Sequence, residues 1–204
     1  MDDFVTRWKT DNPGTSSDTS ITIPMVGGPY EVDWNNDGVF DETVDSGPVS
    51  HDFGTAGTYT IRTKGDYDAN RFNNGEDKLK ILSIEQWGTH RWRSMNGAFS
   101  GAANLQIPNS ASALVNDRHT PDFSLVTDMA AMFANATSAN PKVRHWDTAG
   151  VTDMSLMFFG ANAFDRNVGF WDISSLQSAN FMFDGIALSN GNYEGLLIGW
   201  GIQA

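Results

Sequence analysis

Four oxygen-bearing side chains near the start of the chain have the spacing of a calcium-binding loop. Asp33, Asn35, Asp37 and Asp41 occupy positions 1, 3, 5 and 9 of a twelve-residue loop whose sixth position is Gly38. The twelfth position, where such loops carry a bidentate Glu, holds a valine. The spacing predicts a calcium site that takes further ligands from water or another strand. The alternative is a polar turn between two strands, which the Asn-Asp-Gly sequence favours.

Other catalytic or metal chemistry finds little support in the sequence. The four histidines lack the mutual spacing of a zinc site. The sequence contains no nucleophile elbow, phosphate-binding loop or dinucleotide fingerprint. Because there is no cysteine, disulfides and thiolate catalysis are excluded. We therefore expect that the chain is not an enzyme and that calcium is its only candidate cofactor.

The last third of the chain repeats itself every 25 residues. Trp146-Asp147 recurs as Trp171-Asp172, and a Met-Phe pair recurs three times at the same interval. The same register places Trp87, Met95 and Phe99 in an earlier, atypical unit, so that about four units are predicted. A period in the twenties is typical of solenoids, in which each unit buries its apolar face against its neighbours. Such arrays present a long surface to a partner and seldom carry catalytic residues.

An insertion interrupts the repeat between its first two units. Met95 and Met129 are 34 positions apart instead of 25, and the excess lies in a polar stretch between Pro108 and Pro121. Insertions in repeat proteins usually emerge on one face, often the binding face. We expect ligand contacts in this stretch and at arginines near the unit edges. The candidate contact residues are Asn116, Asp117, Arg118, His119, Arg91, Arg93 and Arg144.

Each unit is predicted to contain a short helix and a short strand. Met154, Met157, Phe158 and Ala161 follow one another at i, i+3, i+4 and i+7, which is typical of a two-turn helix with one apolar stripe. Val168–Phe170 alternates as a strand that leads to the next Trp. Helices this short depend on stacking for their stability. The stripe is therefore expected to face the core.

The tryptophans that recur with the repeat have two possible roles. Trp87, Trp146 and Trp171 are expected to stack in the core, whereas exposed rings would offer a platform for stacking against sugars. The periodic Asp147 and Asp172 are expected to be turn or cap residues and not catalytic carboxylates.

The first eighty residues have the pattern of a small β-sandwich. Short strands are predicted around Ile21–Ile23, Tyr30–Trp34, Val49–Phe53 and Tyr59–Ile61, at a spacing of roughly ten residues. Residues 65–80 are charged and rich in Gly and Asn, which predicts a connecting loop.

Two segments of the chain resemble known families. Val32-Asp33-Trp34, His51-Asp52-Phe53 and the Gly57–Ile61 segment resemble a PKD-type domain, an immunoglobulin-like sandwich of extracellular proteins. Residues from about 80 to 204 resemble the BspA-type leucine-rich repeats of bacterial surface proteins, although Pro121 stands where the second unit should have Trp. The motifs that carry this second resemblance are Trp146-Asp147-Thr148, Val151-Thr152-Asp153-Met154, Met157-Phe158, Ala161, Phe164 and a closing Asn192–Trp200 segment similar to the C-terminal cap of that family.

The predicted fold is mainly β with short helices. Residues 1–80 are predicted to form a PKD-like β-sandwich with an N-terminal strand and a linker. Residues 81–204 are predicted to form a leucine-rich-repeat-like α/β solenoid of about four 25-residue units with a C-terminal cap. Both resemblances imply an extracellular protein.

Charge and composition limit the classes of partner that we expect. The net charge of −12 repels nucleic acid and anionic membrane surfaces, and the sequence shows neither a signal peptide nor an apolar span. We expect a segment of a longer, multidomain protein located at the bacterial cell surface or secreted. Its expected function is non-catalytic adhesion to a protein or glycan on a host or neighbouring cell, through the repeat face. The alternatives are a carbohydrate-binding module that accompanies a secreted enzyme or adhesin, and a spacer.

Overall fold

The computed structural model describes residues 3–107 and 120–203, and within them the protein is mainly β. Nearly all the regular structure lies in the first 86 residues, followed by one helix close to the end. The elements are β1 (Phe4–Lys9), β2 (Ser20–Ile23), β3 (Met25–Asp33), β4 (Glu42–Val44), β5 (Val49–Asp52), β6 (Thr58–Asn70), β7 (Ile81–Gln86) and α1 (Asn190–Gly201).

Two antiparallel sheets make up the N-terminal half. The larger has the strand order β4-β3-β6-β1-β7, and β2 pairs with β5 in the smaller one. Alternation along the strands directs Trp8 and Ile61 into the core, while their neighbours Arg7 and Arg62 point away from it. Ile21 of the smaller sheet is buried in the same core. The strands predicted in this half from alternating residues are confirmed.

The connection between the two halves is more ordered than a loop. Residues 65–70, predicted as loop, belong to β6 and pair with β3, so that part of the prediction is wrong. This pairing requires glycine at position 65, because the backbone of the neighbouring strand β3 lies too close to leave room for a side chain there. Strand β7, assigned from sequence to the repeat region, pairs with β1 through contacts such as Trp8↔Ile81. One continuous hydrophobic core therefore extends from the sheets into the repeats.

A buried ion pair lies in the rest of this connection, after the end of β6. The side chains of Asp77 and Lys80 are both fully buried, with 4.0 Å between the carboxylate and the ammonium group. Asp77 accepts main-chain N–H bonds from Ser16 and Thr22, at 3.0 and 2.7 Å. The Lys80 ammonium donates to the carbonyl oxygens of Ser17 and residue 20. These contacts fix the long segment between β1 and β2 against the connection.

The predicted helix in each repeat unit is wrong. The segment from Met154 to Ala161 is a series of tight turns, in which the N–H of Met157 bonds to the carbonyl of Met154 at 3.2 Å. Every second N–H group of the segment has its acceptor outside the segment, in the following unit. The bonds between these two units, all 2.9–3.0 Å long, are Met154 N–Ser178 O, Leu156 N–Asn180 O, Phe158 N–Met182 O and Gly160 N–Asp184 O.

Left-handed backbone at every fourth residue explains the difference. Leu156 and Gly160 have φ of 59° and 64°, which an α-helix does not allow. Because the left-handed residues recur every four positions, the side chains of Met154 and Phe158 both point into the core, as they would on a helix. The apolar pattern in the sequence is therefore the same for both structures. What changes is the direction of the peptide groups, which bond between units instead of within one.

The strand predicted at Val168–Phe170 is also absent, because these residues adopt irregular structure and a turn. Parallel bridges between units lie elsewhere, at Asp128, Asp153 and Ser178. The periodic aspartates have the turn role predicted for them. The carboxylates of Asp147 and Asp172 each accept the N–H two residues further on.

Aromatic rings occupy equivalent positions from unit to unit, in the order that the repeat predicts. Phe99, Phe133, Phe158 and Phe183 stack in one column, with centroid separations of 5.5, 5.8 and 6.1 Å. The methionines of the stripe are buried with them. The phenylalanine column thus runs through all four units.

Helix α1 packs against one side of the last unit. The indole of Trp171 donates to the carbonyl of Val143 at 2.9 Å, and the indole of Trp200 in α1 repeats this contact with Val168 at 3.1 Å. Glycines at positions 169, 195 and 199 permit the approach, since a side chain at any of them would overlap the opposite segment. Helix α1 therefore takes the place of the corresponding side of a further unit.

His90 lies where the sheet meets the repeats, and it should make stability depend on pH. Its ring packs on Tyr67, with centroids 4.0 Å apart, and burial holds its pKa below the ordinary 6.5. The unfolded chain therefore binds a proton more readily than the folded one. As the pH falls through 6.5, the free energy of unfolding should fall, by at most about 1.4 kcal/mol per pH unit for this one proton.

Thermal melting between pH 7.5 and 5.5 checks this prediction. Carboxylates with lowered pKa, such as Asp165, lose their contribution only below 3.8 and do not interfere. His90→Gln should flatten the profile, whereas the exposed His145→Gln should not change it. A His90→Gln profile as steep as that of the wild type would contradict the assignment.

Candidate binding surface of the repeat region

Two of the arginines predicted as ligand contacts are held in ion pairs. Arg93 donates to Asp66 at 2.7 Å and to Asp68 at 2.9 Å, so it bridges the repeat region and strand β6. Arg91 lies 3.6 Å from Asp122 across a parallel bridge between the first two units. Both side chains are exposed, and their contacts secure neighbouring segments. A role in ligand contact stays a prediction for them.

The third arginine accompanies an exposed aromatic ring. The guanidinium of Arg144 lies over the ring of Phe170, 3.9 Å from its centroid, and this ring is 56% exposed. This contact with Phe170 differs from the ion pairs that Arg91 and Arg93 make with aspartates. The other candidate contacts, Asn116, Asp117, Arg118 and His119, lie outside the described residues.

The predicted calcium loop is a closed turn. Asp33 is buried, and its carboxylate accepts N–H bonds from Asp37 at 3.3 Å and from Gly38 at 2.9 Å. Arg62 lies 3.8 Å from the same carboxylate. The side-chain oxygen of Asn35 accepts a second bond from the N–H of Asp37, at 3.0 Å. These contacts satisfy the turn through protein groups.

Asp41 belongs to the same turn, because it accepts the N–H of Trp34 at 2.9 Å. Within residues 3–107 and 120–203, no three acidic or histidine side chains are grouped as metal ligands would be. Calcium binding at this loop stays a prediction.

Melting in calcium chloride and in EGTA tests the calcium prediction. A cation that binds only the folded chain should raise the melting temperature. Asp37→Ala should abolish the difference because Asp37 is an exposed carboxylate of the loop, whereas Asp18→Ala, at an exposed carboxylate elsewhere, should preserve it. Equal melting temperatures for the wild type in the two solutions would leave the polar turn as the explanation.

The tryptophan ladder is part of the core and cannot stack on a sugar. Trp146 and Trp171 are parallel, with centroids 6.1 Å apart, and Trp87 packs against Phe123 at the start of the ladder. All three tryptophans are buried. The aromatic surface of the described repeats comes from other residues, chiefly Phe170, Phe181 and Tyr193.

An apolar ridge runs across the turn segments. We define the ridge as Ala131, Leu156 and Phe181, which occupy equivalent positions in successive units and have φ of 54°, 59° and 56°. In the first unit this position is Gly97. The exposed fraction is 38% for Leu156 and 69% for Phe181. A left-handed conformation costs an ordinary residue roughly 1–2 kcal/mol, and exposed apolar side chains recover little of that cost.

Sequence reasoning missed the ridge, although part of its signal was present. The second left-handed position of each unit is filled by Gly101, Asn135, Gly160 and Gly185, residue types that tolerate positive φ. This recurrence of Gly and Asn indicates a left-handed position every 25 residues. Nothing in the sequence indicates that Leu and Phe share that conformation four residues earlier.

A polar cleft of about 610 Å³ lies on the outer face of the larger sheet, opposite the core. It is formed by three adjacent strands and the turn after β3, and it includes two arginines. Its lining residues are Val5, Arg7, Asn36, Thr58, Thr60, Arg62, Glu85 and Gln86.

Comparison with known proteins matches part of the repeat region. Residues 107–196 match a family described as Mycoplasma protein of unknown function, DUF285. No curated protein and no solved structure shows a significant match to the chain. The described residues contain no helix that is both long and apolar enough to cross a membrane. The family match covers less than half of the chain and leaves out the N-terminal sheets.

Proposed function

We propose that this chain is a non-catalytic adhesion module of a bacterial surface or secreted protein, and that it binds a protein partner through the repeat region. The fold proposed with it is an immunoglobulin-like sandwich joined to a leucine-rich-repeat-like solenoid. The stacked columns, the bonds between units and the mainly β composition support that fold. The match to a Mycoplasma family is compatible with an extracellular location.

The ridge is the observation that carries the proposal. Leu156 and Phe181 keep large apolar side chains, on the surface, in a backbone conformation that Gly or Asn would adopt at lower cost. Strain of this kind is held by the surrounding structure, and it concentrates at functional sites. Phenylalanine is also one of the residue types enriched at the cores of protein interfaces. A protein surface with a complementary apolar groove is the partner that suits this ridge.

An array experiment tests the proposal. The labelled protein is applied to an array of extracellular and cell-surface proteins and, in parallel, to a glycan array. We expect saturable binding to protein spots, weakened by substitution of the ridge. Binding confined to glycans would contradict the proposal.

Replacing Phe181 with Asn should separate stability from binding. Asn tolerates the left-handed conformation, and little of the Phe181 side chain is buried, so we expect the free energy of unfolding to rise by about 0.5–1 kcal/mol. Urea denaturation measures this difference. A loss of more than about 1 kcal/mol would mean that the ring stabilises the fold, and the functional explanation of its exposure would then fail.

Carbohydrate binding is a second candidate function, and the polar cleft is the observation that favours it. Its arginine, asparagine, glutamine and threonine side chains offer donors and acceptors that suit hydroxyl-rich ligands. We expect the binding of any glycan found on the array to weaken in Arg7→Ala and to persist in Phe181→Asn.

A further inference from the structure

The peptide groups of the turn segments all point the same way along the repeat region. In the second and third units, four carbonyl groups accept bonds from the preceding unit, and four N–H groups donate to the following unit. Met129, for example, donates to Asp153, and Met154 in turn donates to Ser178, both at 2.9 Å. One side of every unit therefore presents only acceptors and the other side only donors. Aligned peptide dipoles make the donor side electrically positive, as at one end of a helix.

The acceptor side of the first unit is partly covered by a short loop. The carbonyls of Gly97, Ala98 and Ser100 accept N–H bonds from the residues at positions 73, 72 and 74, at 3.0, 3.3 and 3.2 Å. These loop residues do not belong to a repeat unit. The first-unit carbonyls that correspond to acceptors in the later units belong to Ser94, Asn96, Ala98 and Ser100, and the loop bonds to the last two of them.

The donor side of the last unit is uncovered. The N–H groups of Ala179, Phe181, Phe183 and Gly185 correspond to those that donate between units elsewhere, yet they have no acceptor among residues 3–107 and 120–203. Helix α1 lies at the same end of the repeat region but packs on a different part of the last unit, around residues 165–173. We call these four N–H groups, with the rings of Phe181 and Phe183, the open end.

Apolar contacts end at the same place. The ring of Phe183 is the last in the phenylalanine column and lies 6.1 Å from Phe158 on its inner side. Phe181, the most exposed member of the ridge, is two residues away. The open end thus combines the donors and the stacking surface that join every pair of neighbouring units.

We propose that the open end binds a polypeptide segment of a protein partner, which adds to the repeat region as a further unit would. The segment contributes main-chain carbonyls to the four N–H groups and an aromatic or aliphatic side chain to the face of Phe183. This is the mode by which an added strand extends the edge of a sheet, transferred to a ladder of turns. The proposal rests on the proposed function, because it names the part of the protein partner that is recognised.

A second copy of this chain does not fit the open end. Two open ends placed together would oppose donors with donors. In another copy, two of the four carbonyls at the acceptor end are already bonded to its own residues 72 and 74, so that end does not offer four free acceptors. Anionic ligands are disfavoured by Asp184 within the open end and by the net charge of −12. Neutral main-chain carbonyl groups of a protein partner match the four N–H groups in both charge and hydrogen-bonding type.

The test uses the intact chain and a peptide probe. The probe is a synthetic peptide with the sequence of residues 151–164, because this segment covers the preceding unit in the same way within the protein. The ¹⁵N-labelled protein is followed by NMR. In the free protein, the amides of Ala179, Phe181, Phe183 and Gly185 should exchange with solvent much faster than those of the preceding unit. Saturating peptide should slow these four amides by about tenfold or more, whereas a scrambled peptide should not.

Three results would overturn the proposal: strong protection of the four amides in the free protein, no effect of the peptide up to about 1 mM, or equal effects of the native and scrambled peptides. A protein partner from the array that binds without protecting these amides would also overturn it, while leaving the proposed function intact. If the peptide protects the four amides but no protein on the array binds, the proposed function fails and the chemistry of the open end stands.

Discussion

Replacing Asp77 with Ala should lower the free energy of unfolding by about 3–5 kcal/mol. The carboxylate is fully buried and accepts main-chain N–H groups from residues 15, 16 and 22, together with the Ser16 hydroxyl at 2.6 Å. Alanine would leave these donors unsatisfied and would also leave the buried charge of Lys80 without its counter-ion. Removing one partner of a buried ion pair lowers the free energy of unfolding by far more than an exposed ion pair contributes to it. Urea denaturation followed by circular dichroism measures the loss.

Two further variants identify the cause. Asp77→Asn retains an acceptor oxygen of the same shape, so it should cost less than Asp77→Ala. Asp11→Ala removes an exposed pair with Lys9 and should change stability little. If Asp77→Ala cost no more than Asp11→Ala, the connection between the halves would not depend on this network.

Replacing Phe158 with Ala should lower the stability of the repeat region by about 3–5 kcal/mol. The ring is fully buried and stacks on Phe133, Phe164 and Phe183, with centroid distances of 5.8, 3.7 and 6.1 Å. Its loss would open a cavity in the middle of the column, where neighbouring units cannot collapse without breaking the hydrogen bonds between them. Differential scanning calorimetry should show a lower melting temperature.

Phe181 provides the matched control, because it is the same residue type in the next unit but is mostly exposed. Phe181→Ala should leave the melting temperature nearly unchanged. Comparable losses for the two phenylalanines would contradict the division between an interior column and a surface ridge.

The sequence predicted those features that follow from a residue period. Period-two alternation located the strands around Tyr30 and Tyr59, because a half-buried strand must alternate. The 25-residue interval located the phenylalanine column, because equivalent residues of stacked units lie above one another. In both cases the spacing along the chain determines which side chains share a face.

The sequence could not predict features that depend on backbone direction or on distant pairing. The inward positions of Met154 and Phe158 fit a helix and a left-handed turn series equally well, so the apolar pattern could not distinguish them. The left-handed state of Leu156 is held by its neighbours and opposes its own preference. Strand β7 pairs with β1, which lies far away in the chain, and nothing local in Ile81–Gln86 indicates that partner.

The most direct test of a binding role for the ridge uses a protein partner found on the array. The dissociation constant of this partner is measured for the wild type, for Phe181→Asn and for Val39→Asn. Val39 is 66% exposed, close to the 69% of Phe181, but it lies in the N-terminal half. We predict that Phe181→Asn weakens binding about tenfold or more, equivalent to about 1.4 kcal/mol, without a fall in melting temperature, and that Val39→Asn binds like the wild type. Equal affinity for the wild type and Phe181→Asn, or a loss confined to Val39→Asn, would contradict a binding role for the ridge.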